Sequence, residues 1–425
     1  MNETAAEVVA LKREFLLPCL FHFYKDPPVL VRGEMQHLYD STGKKYLDAY
    51  SGVTVLNCGH CNPAITGPAI RQAETLQHTT SIYLTEPMPL LARKLVDFLD
   101  GSLRKAFFVN SGSEANEGAL LLARLHTGRR GFISLRGGLH GRTHLTMSVT
   151  GIDMWRTDPF PAPHTRLAPR PFCAACELGL KPDGCGLACA RKIEEMLHHD
   201  GDVAAFIAEP IQGNGGIVEP PPGYFALVSQ ILRKHGVLLI FDEVQTGFCR
   251  TGRRFAFKRL GLEPDILAVA KALGNGFPIG AFVARNEIAA SHSRPGASTT
   301  GGNAVSATAA IAVLDYLSHY RLDERAETLG HRLRDHLLRL KASFPIISDV
   351  RGRGLMLGME LGNPQTPAAA EADALLEAMK DRGFLIGKTG IGRNVVTFLP
   401  PLVVTETDLD DLAAALEESL QSLSK

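Results

Sequence analysis

The chain has 425 residues, of which 45% are hydrophobic and 21% charged, the balance of an ordinary globular protein long enough for two domains. Its 45 basic and 45 acidic residues cancel, which argues against a surface that binds nucleic acid or a membrane through charge. No apolar run reaches membrane-spanning length, and an acidic N-terminus without a signal-peptide stretch predicts a cytoplasmic protein.

The order of apolar runs along the chain predicts an α/β fold. Residues 1–60 are predicted to form an extended arm with short strands, because they alternate around the turn sequence DSTGKK (40–45). Between about residues 61 and 310, short apolar runs alternate with helical segments, which predicts a mostly parallel sheet. The runs are KAFFVN (105–110), GFISL (131–135), AAFIAEP (204–210), VLLIFDE (237–243), DILAVAK (265–271) and GAFVAR (280–285). From about residue 311 the helix-rich pattern predicts a smaller α+β domain.

The first of these runs leads into the sequence NSGSEANEGA (110–119), which has the pattern of a helix start. Ser111 and Glu114 have capping-box spacing, and Gly128 is placed to end the helix. A Ser/Gly turn between a strand and a helix leaves free backbone N–H groups at the positive end of the helix dipole. The turn therefore indicates either a phosphate-binding site or simply a well-capped helix.

Two ionisable residues end apolar runs of the predicted sheet. Asp242 follows GVLLIF, and a buried carboxylate is costly unless a cation pairs with it. Lys271 ends DILAVAK, before the glycine-rich ALGNGFPIG (272–280). A desolvated lysine is a nucleophile that can form a Schiff base, although a lysine at a strand end can also extend into solvent. Ligands bind at the carboxyl ends of parallel strands, so both side chains are expected at one edge.

Taken together, the turn, the carboxylate and the lysine indicate pyridoxal phosphate (PLP). The phosphate of this cofactor needs a helix N-terminus, its ring nitrogen needs an acidic partner, and its aldehyde needs a lysine. The cation that Asp242 requires would then be the pyridinium ring of the cofactor.

Several motifs resemble those of the class III PLP-dependent aminotransferases, over about residues 20–420. They are NSGSEANEGA, LHGRT (139–143), AEPIQGNGG (208–216), FDEVQTGFCRTG (241–252), AKALGNGFPIGA (270–281), STTGGN (298–303) and RGRGLMLGMEL (351–361). The N-terminal third is most similar to the alanine–glyoxylate and 3-aminoisobutyrate–pyruvate branch. The resemblance implies fold type I, with a large seven-stranded-type PLP-binding domain (61–310) and a small domain built from residues 1–60 and 311–425.

Carried over residue by residue, the resemblance implies that Lys271 forms the covalent link to PLP and then moves the substrate proton. Asp242 would hold the ring nitrogen, and the turn of Ser111, Gly112 and Ser113 would hold the phosphate. Further cofactor contacts are implied for Leu139, His140, Glu209, Val244, Gln245 and Thr299.

The implied roles of these further residues differ. Val244 would pack on one face of the ring, and Gln245 would face the ring hydroxyl. His140 is interpreted as a packing residue beside the cofactor, and Glu209 as a carboxylate beside the substrate. Thr299 would reach the phosphate of the neighbouring subunit, which implies a homodimer with shared active sites.

Two positions depart from the family pattern. Leu139 stands where an aromatic residue is usual, so no stacking on the cofactor ring is expected there. Thr397 stands where the ornithine and 4-aminobutyrate enzymes have an arginine that binds the substrate carboxylate, and a hydroxyl does not replace a guanidinium. Arg393 or Arg353 would have to supply the charge, or the substrates do not need it. The alternative for Arg393 is a solvated loop residue.

The reaction that the resemblance implies is a ping-pong amino transfer. The donor would be a small amino acid, a β- or ω-amino acid or a primary amine, and the acceptor a 2-oxo acid, with pyruvate or glyoxylate favoured. Tyr83 and Val53 lie in segments that resemble the substrate-facing part, with ordinary packing as the alternative. A racemase or epimerase and a phosphoamine phospho-lyase would use the same lysine. Intact Lys271 and Asp242 argue against a non-enzymatic PLP-fold protein.

Four of the eight cysteines cluster in FCAACELGLKPDGCGLAC (172–189). They are Cys173, Cys176, Cys185 and Cys189. The C-x2-C and C-x3-C pairs offer enough thiols for a zinc or iron–sulfur site. Reduced thiols packed in a surface loop, or a disulfide pair, are the alternatives. The sequence indicates no other metal site.

Overall fold

The structure, a computed structural model, describes residues 4–423 and begins with a helix that the sequence did not predict. This helix, α1 (Ala5–Phe15), starts with a capping box between Thr4 and Glu7, and none of its residues is buried. Its run of Ala, Glu, Leu, Lys and Arg has high helix propensity, which the prediction of an extended arm overlooked. Residues 1–3 and 424–425, the ends of the predicted terminal segments, lie outside the described residues.

The predicted short strands of the N-terminal segment are present as an antiparallel meander. They are β1 (Leu30–Glu34), β2 (His37–Asp40) and β3 (Lys45–Asp48). The turn between β2 and β3 is held by the carboxylate of Asp40, which accepts hydrogen bonds from the backbone N–H groups of Thr42 and Lys44. An aspartate before a glycine-containing turn commonly bonds the backbone in this way.

The large sheet has seven strands in the order β4-β10-β9-β8-β7-β5-β6. They are β4 (Lys105–Val109), β5 (Gly131–Leu135), β6 (Thr165–Ala168), β7 (Val203–Ala208), β8 (Leu238–Asp242), β9 (Ile266–Val269) and β10 (Gly280–Ala284). Only β10 runs antiparallel to its neighbours, so the predicted α/β class with a mostly parallel sheet is confirmed. The edge strand β6 was not predicted, because its short sequence TRLA has no apolar run.

Helices cover this sheet and bury its central strands residue by residue, as parallel sheets require. The helices up to the end of the sheet are α2 (Ser51–Thr54), α3 (Pro63–Thr75), α4 (Pro87–Leu99), α5 (Gly112–Thr127), α6 (His144–Ser148), α7 (Ala188–His199), α8 (Tyr224–His235), α9 (Ala256–Leu260) and α10 (Asn286–Ala289). Helix α5 packs against β7, β9 and β10, so its N-terminus lies at the edge where the parallel strands end.

The C-terminal part is α+β, as predicted from its pattern. Its elements are α11 (Ala304–His319), α12 (Leu322–Ser343), β11 (Ile347–Arg353), β12 (Met356–Leu361), α13 (Ala369–Asp381), β13 (Phe384–Leu385), β14 (Gly387–Thr389), β15 (Val395–Phe398) and α14 (Glu406–Leu423). Strands β11, β12, β15 and β14 form an antiparallel sheet. Strand β13 instead pairs in parallel with β3, so both ends of the chain share one sheet.

The boundary predicted near residue 310 falls inside α11, which runs from Ala304 to His319. Cutting a helix there would break its hydrogen bonds, so we propose that the division lies at Tyr320–Arg321. Arg321 has a φ of 48° and separates α11 from α12. Among the described residues, no helix combines the length and the apolar character needed to cross a membrane.

Candidate active site

A cavity of about 410 Å³ opens at the carboxyl ends of β4, β8 and β9. Its lining includes Asn110, Ser111, Gly112, Ser113, Asn116, Leu139, His140, Arg142, Trp155, Asp242, Val244 and Lys271. The structure thus brings eight of the predicted site residues to one place. They are Ser111, Gly112, Ser113, Leu139, His140, Asp242, Val244 and Lys271.

The turn before α5 presents backbone N–H groups to this cavity. Ser111 is the N-cap, and its Oγ accepts a hydrogen bond of 3.2 Å from the N–H of Glu114. The Glu114 carboxylate accepts from the N–H of Asn110 at 2.8 Å, so the predicted capping box forms only its first half. A Cβ on Gly112 would lie 2.9 Å from Cγ1 of Val244, so only glycine fits between the helix start and this side chain. The first N–H groups of a helix have no intrahelical partner, so the turn fits a phosphate.

Asp242 is the last residue of β8 and is held by two buried donors. Its Oδ2 accepts hydrogen bonds from Nδ2 of Asn116 and Nδ1 of His140, both at 2.8 Å. Its Oδ1 accepts from the N–H of Val244 at 3.0 Å. The ring of His140, interpreted from the sequence as a packing residue beside the cofactor, therefore also orients the carboxylate. Asn116 was not predicted, although a polar residue one turn into α5 on its buried side is a usable signal.

Lys271 follows β9 and lines the same cavity. Its φ of 48° lies in the left-handed region, which is strained for a residue with a side chain. Desolvation lowers the pKa of its amine, while the carboxylates of Asp242 and Glu209 oppose this shift. A larger fraction of the amine is therefore uncharged at neutral pH than for a lysine in water, as a nucleophile requires.

Glu209 and Gln245 lie beside the cavity lining, and the side chains of both lie close to Gly213. The Glu209 carboxylate accepts hydrogen bonds of 2.9 Å from the N–H groups of Leu139 and Gly213. Burial raises the pKa of Glu209 to about 7, and the N–H donors only partly offset this effect. A Cβ on Gly213 would overlap the Gln245 side chain, so both predicted residues are fixed by the same glycine turn. No arginine hydrogen-bonds to Glu209 within residues 4–423.

The segment around Thr299 is tied to the phosphate turn, although Thr299 itself is exposed. Ser298 Oγ accepts a 3.3 Å hydrogen bond from Nδ2 of Asn110, and Thr300 Oγ1 donates to Oδ1 of Asn110 at 2.8 Å. The predicted substrate residue Tyr83 is also outside the cavity lining and 69% exposed. Both residues therefore lie on the surface of the single chain.

Arg393 is half-buried and is not among the residues that line the cavity. Its guanidinium lies 5.8 Å from the ring centres of Phe21 and Phe23. Phe21 in turn lies 6.3 Å from Trp155, which lines the cavity. The other candidate, Arg353, donates to Glu219 at 2.6 Å and lines a different cavity.

The two remaining positions of interest are Val53 and Thr397. Val53 has a φ of 64° in a kinked turn and does not line the cavity, whereas Val55 does. Thr397 is buried in β15, and its Oγ1 has no hydrogen-bond partner among residues 4–423. Position 397, where the ornithine and 4-aminobutyrate enzymes have an arginine, thus carries an uncharged side chain in this protein.

The cysteine cluster lies in the loop before α7, away from the cofactor cavity. All four thiols are free and line a cavity of about 70 Å³. Within the described part of the chain, no three of their sulfur atoms lie within 4.8 Å of one another.

Comparison with known proteins defines the class of this fold and then its family. The model of the family described as aminotransferase class-III matches residues 24–420. The chain is 42% identical to alanine–glyoxylate aminotransferase 2 homolog 2, mitochondrial, of Arabidopsis thaliana, over 99% of this chain and 88% of that one. This chain belongs to the class III aminotransferases, which are PLP-dependent transaminases of fold type I.

Two solved structures share the fold over nearly the whole chain. The ornithine aminotransferase of Toxoplasma gondii, described with partial occupancy of PLP at its active site, has a TM-score of 0.87 and 30% identity, over 99% of this chain and 95% of that one. A phospholyase from Arthrobacter in complex with phosphoethanolamine has a TM-score of 0.89 and 33% identity, over 98% of this chain and 99% of that one. PLP is thus the cofactor of this protein, and the predicted aminotransferase class is confirmed.

Proposed function

We propose that this enzyme transfers an amino group from a small amino acid, a β- or ω-amino acid or a primary amine to pyruvate or glyoxylate. The observation that carries the proposal is the shared cavity of Lys271 and Asp242, in which the lysine is desolvated and the carboxylate is doubly held. Glyoxylate appears in the name of the Arabidopsis relative, which supports it as an acceptor.

Each residue of the cavity has a distinct task in this proposal. When bound, PLP supplies an electron sink for the charge left on the substrate Cα after proton loss. Asp242 keeps the ring nitrogen protonated, and Asn116 and His140 keep Asp242 in place. Lys271 Nζ takes the proton from the substrate Cα and returns it as general base and acid. Ser111, Gly112 and Ser113 hold the phosphate at the start of α5.

The acceptor choice follows from the charges around the substrate end. Thr397 offers no charge to the carboxylate of a 2-oxo acid, and no arginine hydrogen-bonds to Glu209 among the described residues. The dicarboxylate 2-oxoglutarate would need two cations in the site, whereas pyruvate and glyoxylate, with one carboxylate each, would need only one. Arg393, which lies against the rings of Phe21 and Phe23, is the residue we assign to that carboxylate.

A phospho-lyase is the second candidate, because of one residue in the cavity. Arg142 lines the cavity, is exposed and forms no salt bridge within residues 4–423. A free guanidinium at the mouth of the site is suited to a substrate phosphate. The Arthrobacter relative is described as a phospholyase in complex with phosphoethanolamine, which favours the same candidate.

We also propose a homodimer. Ile82, Tyr83 and Leu84 are consecutive apolar residues that are 81%, 69% and 99% exposed, and a contiguous apolar patch of this kind marks an interface. Thr299, tied through its neighbours to Asn110, is exposed beside the phosphate turn and suited to contact a second subunit.

The test is a single-turnover absorbance experiment on the holoenzyme. A panel of amino donors is added without any 2-oxo acid, and the cofactor band is followed. We expect one donor to convert the cofactor to its amino form, and pyruvate or glyoxylate to restore it. The variant Lys271→Ala should lose both steps, whereas Lys341→Ala, on the distant helix α12, should keep them.

Other outcomes would replace the proposal. Release of inorganic phosphate from phosphoethanolamine, without conversion by any donor, would identify a phospho-lyase. Loss of optical purity of an added amino acid, again without conversion, would identify a racemase. If 2-oxoglutarate, but neither pyruvate nor glyoxylate, restores the original cofactor band, another residue binds the substrate carboxylate in place of the missing arginine.

A further inference from the structure

One cluster of side chains outside the cofactor cavity has the composition of a metal site. Glu194 and His198 lie four residues apart on α7, and His235 is the last residue of α8. One ligand atom of each residue lies within 4.8 Å of the other two. We propose that these three side chains bind a zinc ion that joins α7 to α8.

The geometry of the cluster suits one ion. Residues four apart on a helix lie on the same face, so Glu194 and His198 point toward the same neighbour. The neighbour is α8, which packs directly against α7. The rings of His198 and His235 are 5.0 Å apart and tilted by 73°, so they are not stacked and both can turn a nitrogen toward a common point. Two imidazoles and a carboxylate are zinc ligands, and water can complete a tetrahedral shell.

His235 supplies a second and independent observation. Its Nε2 is buried and has no hydrogen-bond partner among residues 4–423. Buried polar atoms in folded proteins nearly always have a partner, because an unsatisfied one loses its bonds to water without a replacement. A metal ion at this nitrogen would supply the missing interaction.

The charges around the cluster set its affinity. The ammonium of Lys234 lies 2.7 Å from Oε1 of Glu194. Lys234 competes with the metal for this carboxylate, and Arg129 adds positive charge through its hydrogen bonds of 3.0 Å to the carbonyls of His235 and Gly236. Removing the Lys234 charge should therefore strengthen binding.

The position of the site gives the ion a structural role. Helix α7 follows a long loop that, between β6 and α7, contains only the short 3-10 helix Cys173–Ala175. Loops of this length without regular structure are uncommon inside a compact unit. A metal bridge between α7 and α8 would fix the C-terminal half of α7, beyond the end of this loop, to the large sheet, since α8 packs on β8.

The test is a zinc titration of chelator-treated holoenzyme, followed by calorimetry and by thermal unfolding. We expect one zinc per chain from this site and a melting temperature that rises with zinc, because a ligand of the native state stabilises it. His198→Gln and His235→Gln should each weaken zinc binding at least about tenfold. Loss of even a residue that only hydrogen-bonds a metal ligand lowers metal affinity by about that factor. His199→Gln, the exposed next residue of the same helix, is the matched control and should bind normally. Lys234→Met should bind zinc more tightly.

Three results would overturn the proposal. The first is an absence of saturable binding, and the second is equal weakening by His199→Gln and His198→Gln. The third result comes from an experiment with cobalt in place of zinc, which separates this site from the cysteine cluster. Thiolate ligands give bound cobalt a strong charge-transfer band, whereas histidine and glutamate do not. A thiolate band with stoichiometry unchanged in His198→Gln would place the metal at the cysteines. Retained cofactor absorbance in each variant shows that the variant is folded.

Discussion

Asp242 places one oxygen, Oδ2, between two buried donors, Asn116 and His140. These donors come from separate elements, helix α5 and the loop after β5, so the carboxylate is fixed from two sides. The sequence indicated Asp242 and His140 because each stands in a recognisable motif. It did not indicate Asn116, because one polar residue on the buried side of a helix is a weak signal by itself, and its partner Asp242 becomes apparent only when α5 is packed on the sheet.

We expect Asn116→Ala to weaken PLP binding about tenfold or more. The change removes one of the hydrogen bonds to a charged, buried carboxylate, and such bonds contribute about 1.5–3 kcal/mol. The measurement is a titration of the apoenzyme with PLP followed by absorbance. Asn286→Ala, at the exposed start of α10, should leave the affinity unchanged. Equal affinities in wild type and Asn116→Ala would show that Asn116 does not position Asp242.

Glu209 should make the binding of carboxylate substrates depend on pH. Burial raises the pKa of Glu209 to about 7, so the side chain is neutral below that pH and negative above it. A negative side chain repels a substrate carboxylate but not a simple amine. We therefore expect KM for an amino acid donor to rise severalfold as the pH passes through about 7, and this rise to disappear in Glu209→Gln. A rise of the same size with a carboxylate-free amine would contradict this role.

Elements, rather than single side chains, create the phosphate end of the site. Helix α5 begins where β4 ends, and its first turn passes close to Val244 on the chain after β8. The sequence predicted this start and its end at Gly128, because capping residues are local signals. It did not predict that Glu114 bonds Asn110 instead of closing the capping box, since that choice depends on the tertiary position of Asn110.

Gly112→Ala tests the contact at this helix start. An added Cβ would lie 2.9 Å from Cγ1 of Val244, so the side chain or the turn has to move. Overpacking of this kind costs about 1–3 kcal/mol, and we expect PLP affinity to fall by roughly tenfold. Gly67→Ala in α3 is the control, since its nearest neighbour would be the end of the flexible Arg71 side chain at 3.4 Å. Unchanged affinity in Gly112→Ala would mean that the turn can accommodate a methyl group.

Glu243, beside Asp242, has a structural task. Its carboxylate accepts hydrogen bonds from the N–H groups of Ala256 and Phe257 at the start of α9, at 2.8 and 2.7 Å, and from Oγ1 of Thr246 at 2.9 Å. Glu243→Ala leaves three buried donors unsatisfied, so we expect a loss of roughly 2–4 kcal/mol in the free energy of unfolding. Denaturant unfolding of the holoenzyme measures this loss, and Glu243→Gln should lose less because its amide oxygen still accepts. A loss below 1 kcal/mol, about the size of one ordinary hydrogen bond, would contradict this role.

At the scale of the whole molecule, the exposed run at Ile82, Tyr83 and Leu84 marks the surface that a second copy would cover. We expect Leu84→Asp to shift the protein from dimer to monomer in sedimentation velocity and to lower activity per chain, because a charge would be buried at the interface. Leu338→Asp changes a leucine that is 41% exposed on α12 and should leave the oligomer intact. If both variants sediment as wild type does, the interface lies elsewhere.

The large sheet was predictable because its strands are apolar runs with glycine or polar ends, and each run carries its own signal. The pairing of Leu47 with Phe384 was not readable from spacing, since nothing local in β3 or β13 indicates a partner at the other end of the chain. The resemblance to a family implied only that both ends of the chain belong to one small domain, not which strands pair. The surface positions of Tyr83 and Thr299 were also not readable, because exposure on one subunit depends on packing between elements.

The pairing of β3 with β13 also determines the order in which the chain can be completed during synthesis. Roughly 340 residues separate the two strands, which at about 5–20 residues per second means that β3 waits on the order of 20–70 s for its partner. Every residue that lines the cofactor cavity lies between Val55 and Ile279, so all of them leave the ribosome before Phe384 does. The nascent chain therefore holds a full set of cofactor residues while one edge of its N-terminal sheet is still open to pairing with other chains.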